Sequence, residues 1–373
     1  MKILYFTSAF SPHDLRFLTA LASTENEVHY LPILNSGWQR AQGELSIRVK
    51  IERPLYQSAS VNWLNYVRLV RELRLRVGQI QPDLVHAGPI HLGAAITALA
   101  GFKPLVSMSW GSDLLWEARR PVPATAARIA LRSSAAFIGD CEAVRRAAIK
   151  LGMDKERITL FPWGVDLRHF TPGSGEDLRA RLGWQENFIL LSVRSFEPLY
   201  GVDIIINAFI QLAPQIPSLR LLLLGDGSKK KSFMERLQRA GLEDRVKFIG
   251  VVKRVELPEY YRAADLYLSA SYSDGSSVSL LEAMACGLPS LVSDIPGNQE
   301  WITPGVTGWL FESGKVISLI EWIKQVSHSR SESITVCESA RVVVQKRADW
   351  SKNFPKLLNA YALAREYASV KTG

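Results

Sequence analysis

Short apolar runs alternate with amphipathic stretches along most of the chain. Residues 2–7, Lys-Ile-Leu-Tyr-Phe-Thr, predict a buried parallel strand, 8–14 a turn, 15–22 a helix and 27–32 a second strand. Strand, loop, helix and strand in that order make the βαβ unit of a doubly wound sheet. The same alternation predicts strands at 82–87, 104–110, 135–139 and 158–163, and helices at 92–100 and 143–151. Strand 104–110 runs into Gly111-Ser112-Asp113, a loop at a carboxyl end, where open α/β sheets place ligands. Residues 61–77 set Trp63, Tyr66, Val67, Val70, Leu73 and Val77 on one side at helical spacing, with Arg68, Arg71, Arg74 and Arg76 over the rest.

Chain breakers cluster in 171–187, which opens Thr-Pro-Gly-Ser-Gly-Glu, and predict a domain boundary there. The alternation then restarts. Strands are expected at 188–193, 220–224, 246–249, 265–269, 290–293 and 308–311, with helices at 201–212, 228–240 and 257–264. The last stretch reads as helical at 316–327, 332–347 and 354–368. No repeat of solenoid period is present. The expectation is an α/β protein with two doubly wound sheets, one in 1–170 and one in 188–345, joined by a linker at 171–187. A ligand would sit in the cleft between them.

Composition supports this picture. A length of 373 residues fits about two domains, and 47% hydrophobic with 22% charged residues is ordinary for a globular protein. The net charge of +9 is uneven: residues 1–170 carry 21 Lys/Arg against 14 Asp/Glu. A basic first half suits an anionic partner, whether a phosphate-bearing substrate, a membrane surface or nucleic acid. The Arg-rich stretch 61–77 reads first as a surface helix packed on a sheet, and second as a helix lying on an anionic membrane. Cys141, Cys286 and Cys337 are scattered, with neither a disulfide framework nor a zinc pattern, which fits a reducing cytosol. The apolar run 3–6 is too short for a signal-peptide core, and no uninterrupted apolar run approaches membrane-spanning length.

The stretch from Asp274 to Pro289 carries the sharpest chemistry. A polar loop, Asp274-Gly275-Ser276-Ser277, runs straight into an apolar helix that stops at Gly287-Leu288-Pro289. The start of such a helix presents unpaired N–H groups and the positive end of its dipole, a seat for phosphate. Asp274 and Glu282 flank that seat, and carboxylates accept charge-assisted hydrogen bonds from sugar hydroxyls. Arg194 leaves the strand 188–193 into a loop, where a guanidinium can grip phosphate oxygens bidentately. No Gly-x-Gly-x-x-Gly follows the first strand, which disfavours a dinucleotide enzyme.

The segment DGSSVSLLEAMACGLPSLVSD resembles the acid–seven-residue–Glu motif of the retaining GT-B glycosyltransferases of family four, also called group 1. The blocks MKILYFTSAFSPHD, PWGVDLRHFTP, SVRSFEPLYGVDIIINAF, LLLLGDGSKKKSF and VKFIGVV follow that family's order across nearly the whole chain. The resemblance implies a GT-B fold: two Rossmann-like domains facing across a cleft, with the donor mainly on the second and the acceptor mainly on the first. Residues 346–373 would form a C-terminal helix crossing back to the first domain. It also implies retaining transfer of a sugar from a nucleotide diphosphate sugar, UDP- or GDP-linked, to an acceptor, with no metal and no cofactor. The acceptor's hydroxyl would attack as the diphosphate leaves, on the same face.

By resemblance, Arg194 grips the diphosphate, Glu282 takes the ribose hydroxyls, and Asp274, where the family usually has Glu, meets the donor sugar. Gly275, Ser276, Ser277 and Val278 would present backbone N–H groups, and Val251 would follow the strand that meets the base. Tyr200 stands where the family commonly has a Lys, so Arg16 or Lys229 to Lys231 are candidate replacements for its charge. Trp110 replaces a His, and with Asp113, His13 and Arg16 it is a candidate for the acceptor side. The expected partners are the nucleotide sugar and a glycan, small-molecule or lipid-linked acceptor, with peripheral contact at an anionic membrane and no nucleic acid. The expected setting is the cytoplasm, at most at the inner membrane surface. Two other classes stay open: a sugar-nucleotide epimerase on the same fold, and a non-catalytic nucleotide-sugar-binding protein, which the departures at Trp110, Tyr200 and Asp274 would suit.

Overall fold

A computed structural model describes residues 1–57, 65–328 and 330–372. It divides into two compact units, one of Met1–Pro162 with Lys352–Gly373 and one of Trp163–Ser351. The first unit is built on β1 (Lys2–Thr7), β2 (Glu27–Pro32), β3 (Val49–Ile51), β4 (Leu84–Ala87), β5 (Leu105–Met108), β6 (Ala136–Gly139) and β7 (Ile158–Leu160). Its strand order is β3-β2-β1-β4-β5-β6-β7, and every pairing is parallel. The second is built on β8 (Phe188–Val193), β9 (Leu219–Leu224), β10 (Val246–Gly250), β11 (Leu266–Ser269), β12 (Ser290–Ser293) and β13 (Trp309–Phe311). Its order is β10-β9-β8-β11-β12-β13, again parallel throughout.

Helices cover both faces of each sheet, so the central strands are unbroken apolar runs rather than alternating ones. Ile3 to Phe6 and Leu221 to Leu224 are buried along their length. Each order reverses once, between β1 and β4 and between β8 and β11. Doubly wound sheets open a crevice at the carboxyl ends of such strands. In the second unit, Arg194 and the loop after Ser269 lie at that switch point.

The segment 171–187 is a structured part of the second unit, not a linker. It contains helix Glu176–Leu182, and Leu178 and Trp184 are buried. Arg179 donates to the Asp265 carboxylate at 2.7 Å. A Cβ on Gly175 would fall 2.3 Å from the Ala263 Cα, so this breaker permits close backbone packing rather than a hinge.

The C-terminal helix Trp350–Thr372 joins the first unit from Lys352 onward. Leu357, Ala360, Tyr361 and Ala364 are buried on one stripe. The Tyr361 hydroxyl meets His86 Nδ1 at 2.6 Å, deep beside β1.

The Arg-rich segment forms helix Tyr66–Ile80; Trp63 and the rest of 58–64 lie outside the described residues. Leu69, Leu73 and Ile80 face the core, whereas Val67, expected on that face, is 73% exposed, together with Leu75 at 63%. Two of the arginines are tied down locally. Arg74 donates to the carbonyls of Ala100 and Leu99 at the end of helix Ala95–Ala100, where a cation offsets the helix dipole. The Arg68 guanidinium lies over the Tyr56 ring.

Candidate functional site

Helix Val278–Ala285 is mostly apolar and is buried from Ser279 onward, with Leu280, Leu281, Ala283, Met284 and Ala285 in the core. A helix of that kind is driven into the core, which fixes its amino end beside the carboxyl ends of β8 and β11. Ser277 stands at the N-cap position, yet its side chain caps no backbone N–H. Its hydroxyl instead accepts from Arg194 Nη1 at 2.9 Å.

Arg194 is the hub of the site. Nη1 also reaches the Ser279 hydroxyl at 3.2 Å, and Nη2 donates to Asp274 Oδ2 at 2.7 Å. The Tyr200 ring covers the guanidinium, with its centroid 4.3 Å from Cζ. Nε is buried with no hydrogen-bond partner. Burial by itself would lower the guanidinium's pKa, but Asp274, Tyr267 and Tyr200 outweigh it and hold the group above the ordinary arginine value. The cation is therefore permanent and fixed in direction, with one donor uncommitted.

The loop beneath it is clamped from a second side. Helix Pro296–Gln299 brings Gly297 so close that a Cβ there would lie 2.3 Å from the Gly275 carbonyl oxygen and 2.5 Å from that of Asp274. Trp301 Nε1 donates to the Ser276 hydroxyl at 3.1 Å, and Gly275 N donates to Asp274 Oδ1 at 3.0 Å. Asp274 thus holds its neighbour's backbone with one oxygen and Arg194 with the other. Val278 is half-buried at the helix start.

Glu282, one turn further on, is 5% exposed, and its Oε2 accepts from the Tyr261 hydroxyl at 3.1 Å. Asp274, Ser277 and Tyr200 therefore each touch Arg194, while Glu282 pairs with Tyr261 one turn along the helix. Val251, after the positive-φ Gly250, is 77% exposed on its loop. Two of the three candidate replacement lysines are engaged elsewhere at the surface, Lys230 with Asp226 and Lys231 with Glu235, and Lys229 is exposed. Tyr261, Gly297 and Trp301 carried no functional signal in the sequence, because each reaches the site from a position distant in the chain.

In the first unit, His13 stacks on Trp110 with ring centroids 5.3 Å apart and planes at 28°, and Phe17 meets the Trp110 ring edge-on. Asp113 is buried and fully engaged. Oδ1 accepts from the Ser109 hydroxyl and Trp110 N, and Oδ2 from Ile90 N at 2.7 Å. Burial raises its pKa. Expected as a polar contact for a sugar, this carboxylate instead ties the Trp110 loop to the segment after β4. Arg16 is buried. Beside it, Asp14 accepts from the backbone N–H and hydroxyl of Ser11 in a capping box. Among the described residues no group of three His, Cys, Asp or Glu side chains is placed to hold a metal ion.

Known proteins share both the sequence and the fold. The pattern of the family described as "Glycosyl transferases group 1" matches residues 175–357, and that of "Glycosyltransferase Family 4" matches residues 14–169. A D-inositol 3-phosphate glycosyltransferase of Mycolicibacterium smegmatis (strain ATCC 700084 / mc(2)155) is 30% identical over 217 residues, covering 57% of this chain and 48% of that protein. One from Nocardia farcinica (strain IFM 10152) is 32% identical over 177 residues, covering 45% of this chain and 39% of that protein. The chain spans about half the length of the curated relatives it matches. In fold it is similar to Anabaena Alr3699/HepE, solved with UDP and glucose, at a TM-score of 0.82 and 22% identity over 97% of this chain and 99% of that one. It is similar too to WaaG, a glycosyltransferase involved in lipopolysaccharide biosynthesis, at a TM-score of 0.77 and 17% identity over 97% of this chain and 99% of that one. The two parallel-sheet units are those of the GT-B fold.

Proposed function

The chain belongs to the group 1, or family 4, glycosyltransferases, and on that premise we propose that it transfers a sugar from a nucleotide diphosphate sugar to an acceptor hydroxyl, with retention at the anomeric carbon and without a metal ion. The observation that carries the reading is Arg194. Its buried cation sits at the switch point of the second sheet, is held by Asp274 and Ser277, and keeps Nε uncommitted.

A diphosphate at the start of helix Val278–Ala285 would meet the positive end of the helix dipole together with this cation. As the sugar–phosphate bond breaks, negative charge grows on the leaving oxygen. A fixed, desolvated guanidinium lowers the energy of that state more than that of the ground state. Asp274, at the mouth of the loop, is the group for the sugar's hydroxyls. Glu282 would take the ribose hydroxyls, exchanging the Tyr261 hydroxyl for them. No enzymatic nucleophile is assigned beside the donor, so the acceptor hydroxyl attacks on the face the diphosphate leaves, and a phosphate oxygen takes its proton.

The D-inositol 3-phosphate glycosyltransferases above suit a hydroxylated, anionic acceptor, and the basic first half of the chain agrees. A lipid-linked or glycan acceptor at an anionic membrane surface is the finer form of this proposal. Val67, Arg71 and Leu75 support it, lying exposed at four-residue spacing along one stripe of helix Tyr66–Ile80. No helix among the described residues is long and apolar enough to cross a membrane.

A thermal-shift screen of nucleotide sugars, followed by product analysis with the best one, tests the reading. Stabilisation by a nucleotide sugar that disappears in Arg194→Ala is the expected result. Equal stabilisation of both proteins would refute the site.

A further inference from the structure

The second unit holds a cavity of about 640 Å³ at the opposite end of its sheet from Arg194. Its floor lies at the amino ends of β8, β11 and β12, where Phe188, Asp265 and Pro289 line it. Its size falls in the range of small-molecule pockets, roughly 300–1,000 Å³. The walls come from the end of helix Val278–Ala285 and from helices Leu257–Ala263, Val316–His328 and Arg330–Arg347.

Much of the lining is apolar: Phe188, Leu288 and Val326 are part of it, and Ile334 in it is 64% exposed. Two arginines and two carboxylates line it, and their partners differ. The Asp265 carboxylate is paired with Arg179 and accepts at Oδ2 from Arg179 Nη2 and Ile189 N. Arg262 spends Nε and Nη2 on the carbonyl and hydroxyl of Thr171, both at 2.8 Å, which leaves Nη1. Arg341 has no ion pair or hydrogen bond among the described residues. Burial keeps the Cys286 thiol neutral, with Arg262 and Arg341 acting on it in one direction and the Glu282 carboxylate in the other. Glu338, also in the lining, is exposed at the rim beside Cys337, where water screens it. Arg262 and Arg341 therefore both line the cavity next to its apolar residues, while Glu282 lies outside the lining.

We propose that this cavity is a second ligand site, for a small amphipathic anion. The apolar body lies against Phe188, Leu288 and Val326, and a carboxylate or phosphate monoester is held by Arg341 and Arg262 Nη1. An anion there gains charge-assisted hydrogen bonds and gives Arg341 the partner it lacks among the described residues. The site shares no liganding group with the Arg194 loop and does not rest on the transferase reading.

Titration calorimetry on the full chain tests it with four probes: octanoate, octyl phosphate, octanol and inorganic phosphate. One of the two amphipathic anions is expected to bind at millimolar concentration or below, and the tighter of them identifies the headgroup. Octanol and inorganic phosphate are expected to bind at least about tenfold more weakly, since each lacks one half of the recognition. Arg341→Ala should lose about tenfold in affinity and Arg341→Lys should recover part of it, with unfolding temperatures checked in both. Bound probe should also slow alkylation of Cys337, the half-buried thiol in the wall. Absence of binding by both anions, octanol binding as well as octanoate, or binding indifferent to Arg341 would each overturn the proposal.

Discussion

Asp274 closes on Arg194 at 2.7 Å, so the cation proposed to meet a diphosphate is already paired with a carboxylate. The pair is only partly open to water, with side chains 10% and 18% exposed. A diphosphate arriving there meets a guanidinium whose charge is partly offset. Asp274→Asn removes the offset but also the charge proposed to hold the donor sugar. Affinity for the nucleoside diphosphate alone should therefore stay level or rise, while affinity for the complete nucleotide sugar falls. Calorimetric titration of the two ligands against both proteins checks this. A parallel loss for both ligands would place Asp274 on the diphosphate side.

Tyr200 fixes the same guanidinium through its face. The interaction needs the ring rather than the hydroxyl. Tyr200→Phe should bind the nucleotide sugar within a few-fold of the parent, and Tyr200→Ala should lose about 1–2 kcal/mol, near tenfold or more in affinity. Equal losses in the two variants would mean that the phenol itself touches the ligand.

The parts of this site that the sequence made legible are those carried by local pattern. Arg194 follows a buried strand, and Asp274 to Ser277 precede a helix whose polar residues are Ser279 and Glu282, so strand–loop–helix grammar locates both. The contacts that hold them are long-range and leave no such trace. Trp301 reaches Ser276 across 25 positions and Tyr261 reaches Glu282 across 21, and neither aromatic residue differs in sequence from a plain core residue. The fold was readable for a related reason: parallel strands buried on both faces must be continuous apolar runs. β3 escaped because Val49-Lys50-Ile51 is short and lies at a sheet edge. The breakers at 171–187 misled because glycine signals a departure from regular backbone, and at Gly175 that departure is tight packing.

Gly297 offers a test of how firmly the loop must be held. An alanine methyl there would lie well inside contact distance of two carbonyl oxygens, those of Asp274 and Gly275. Neither is the end of a flexible side chain, so the backbone itself has to move. Gly297→Ala should lower stability by about 1–3 kcal/mol and weaken nucleotide-sugar binding together with it. Urea unfolding and ligand titration measure the two effects. Parent-like values for both would show that the Asp274 loop tolerates displacement.

Asp14 and His86 are both buried in the first unit and titrate in opposite directions. Burial pushes the Asp14 carboxyl up to about 6 from 3.8, against the pull of the hydrogen bonds it accepts from Ser11. Burial pushes His86 down to about 3 from 6.5. A raised folded-state pKa means that the folded protein holds its proton more tightly than the unfolded chain does. The Asp14 contribution is thus fully present below 3.8 and is lost as pH rises through 6. The His86 contribution is present above 6.5 and is lost as pH falls through about 3. Asp14→Asn stays neutral at every pH, and its amide oxygen can still accept from Ser11 N. The variant should therefore be more stable than the parent at pH 8, by up to about 3 kcal/mol from a shift of roughly two units. The difference should shrink through pH 6 and vanish near pH 4. Comparing the two proteins at each pH cancels the His86 term, which both share. Urea unfolding at a series of pH values gives the curve, and a difference independent of pH would mean that Asp14 is charged throughout in the folded protein.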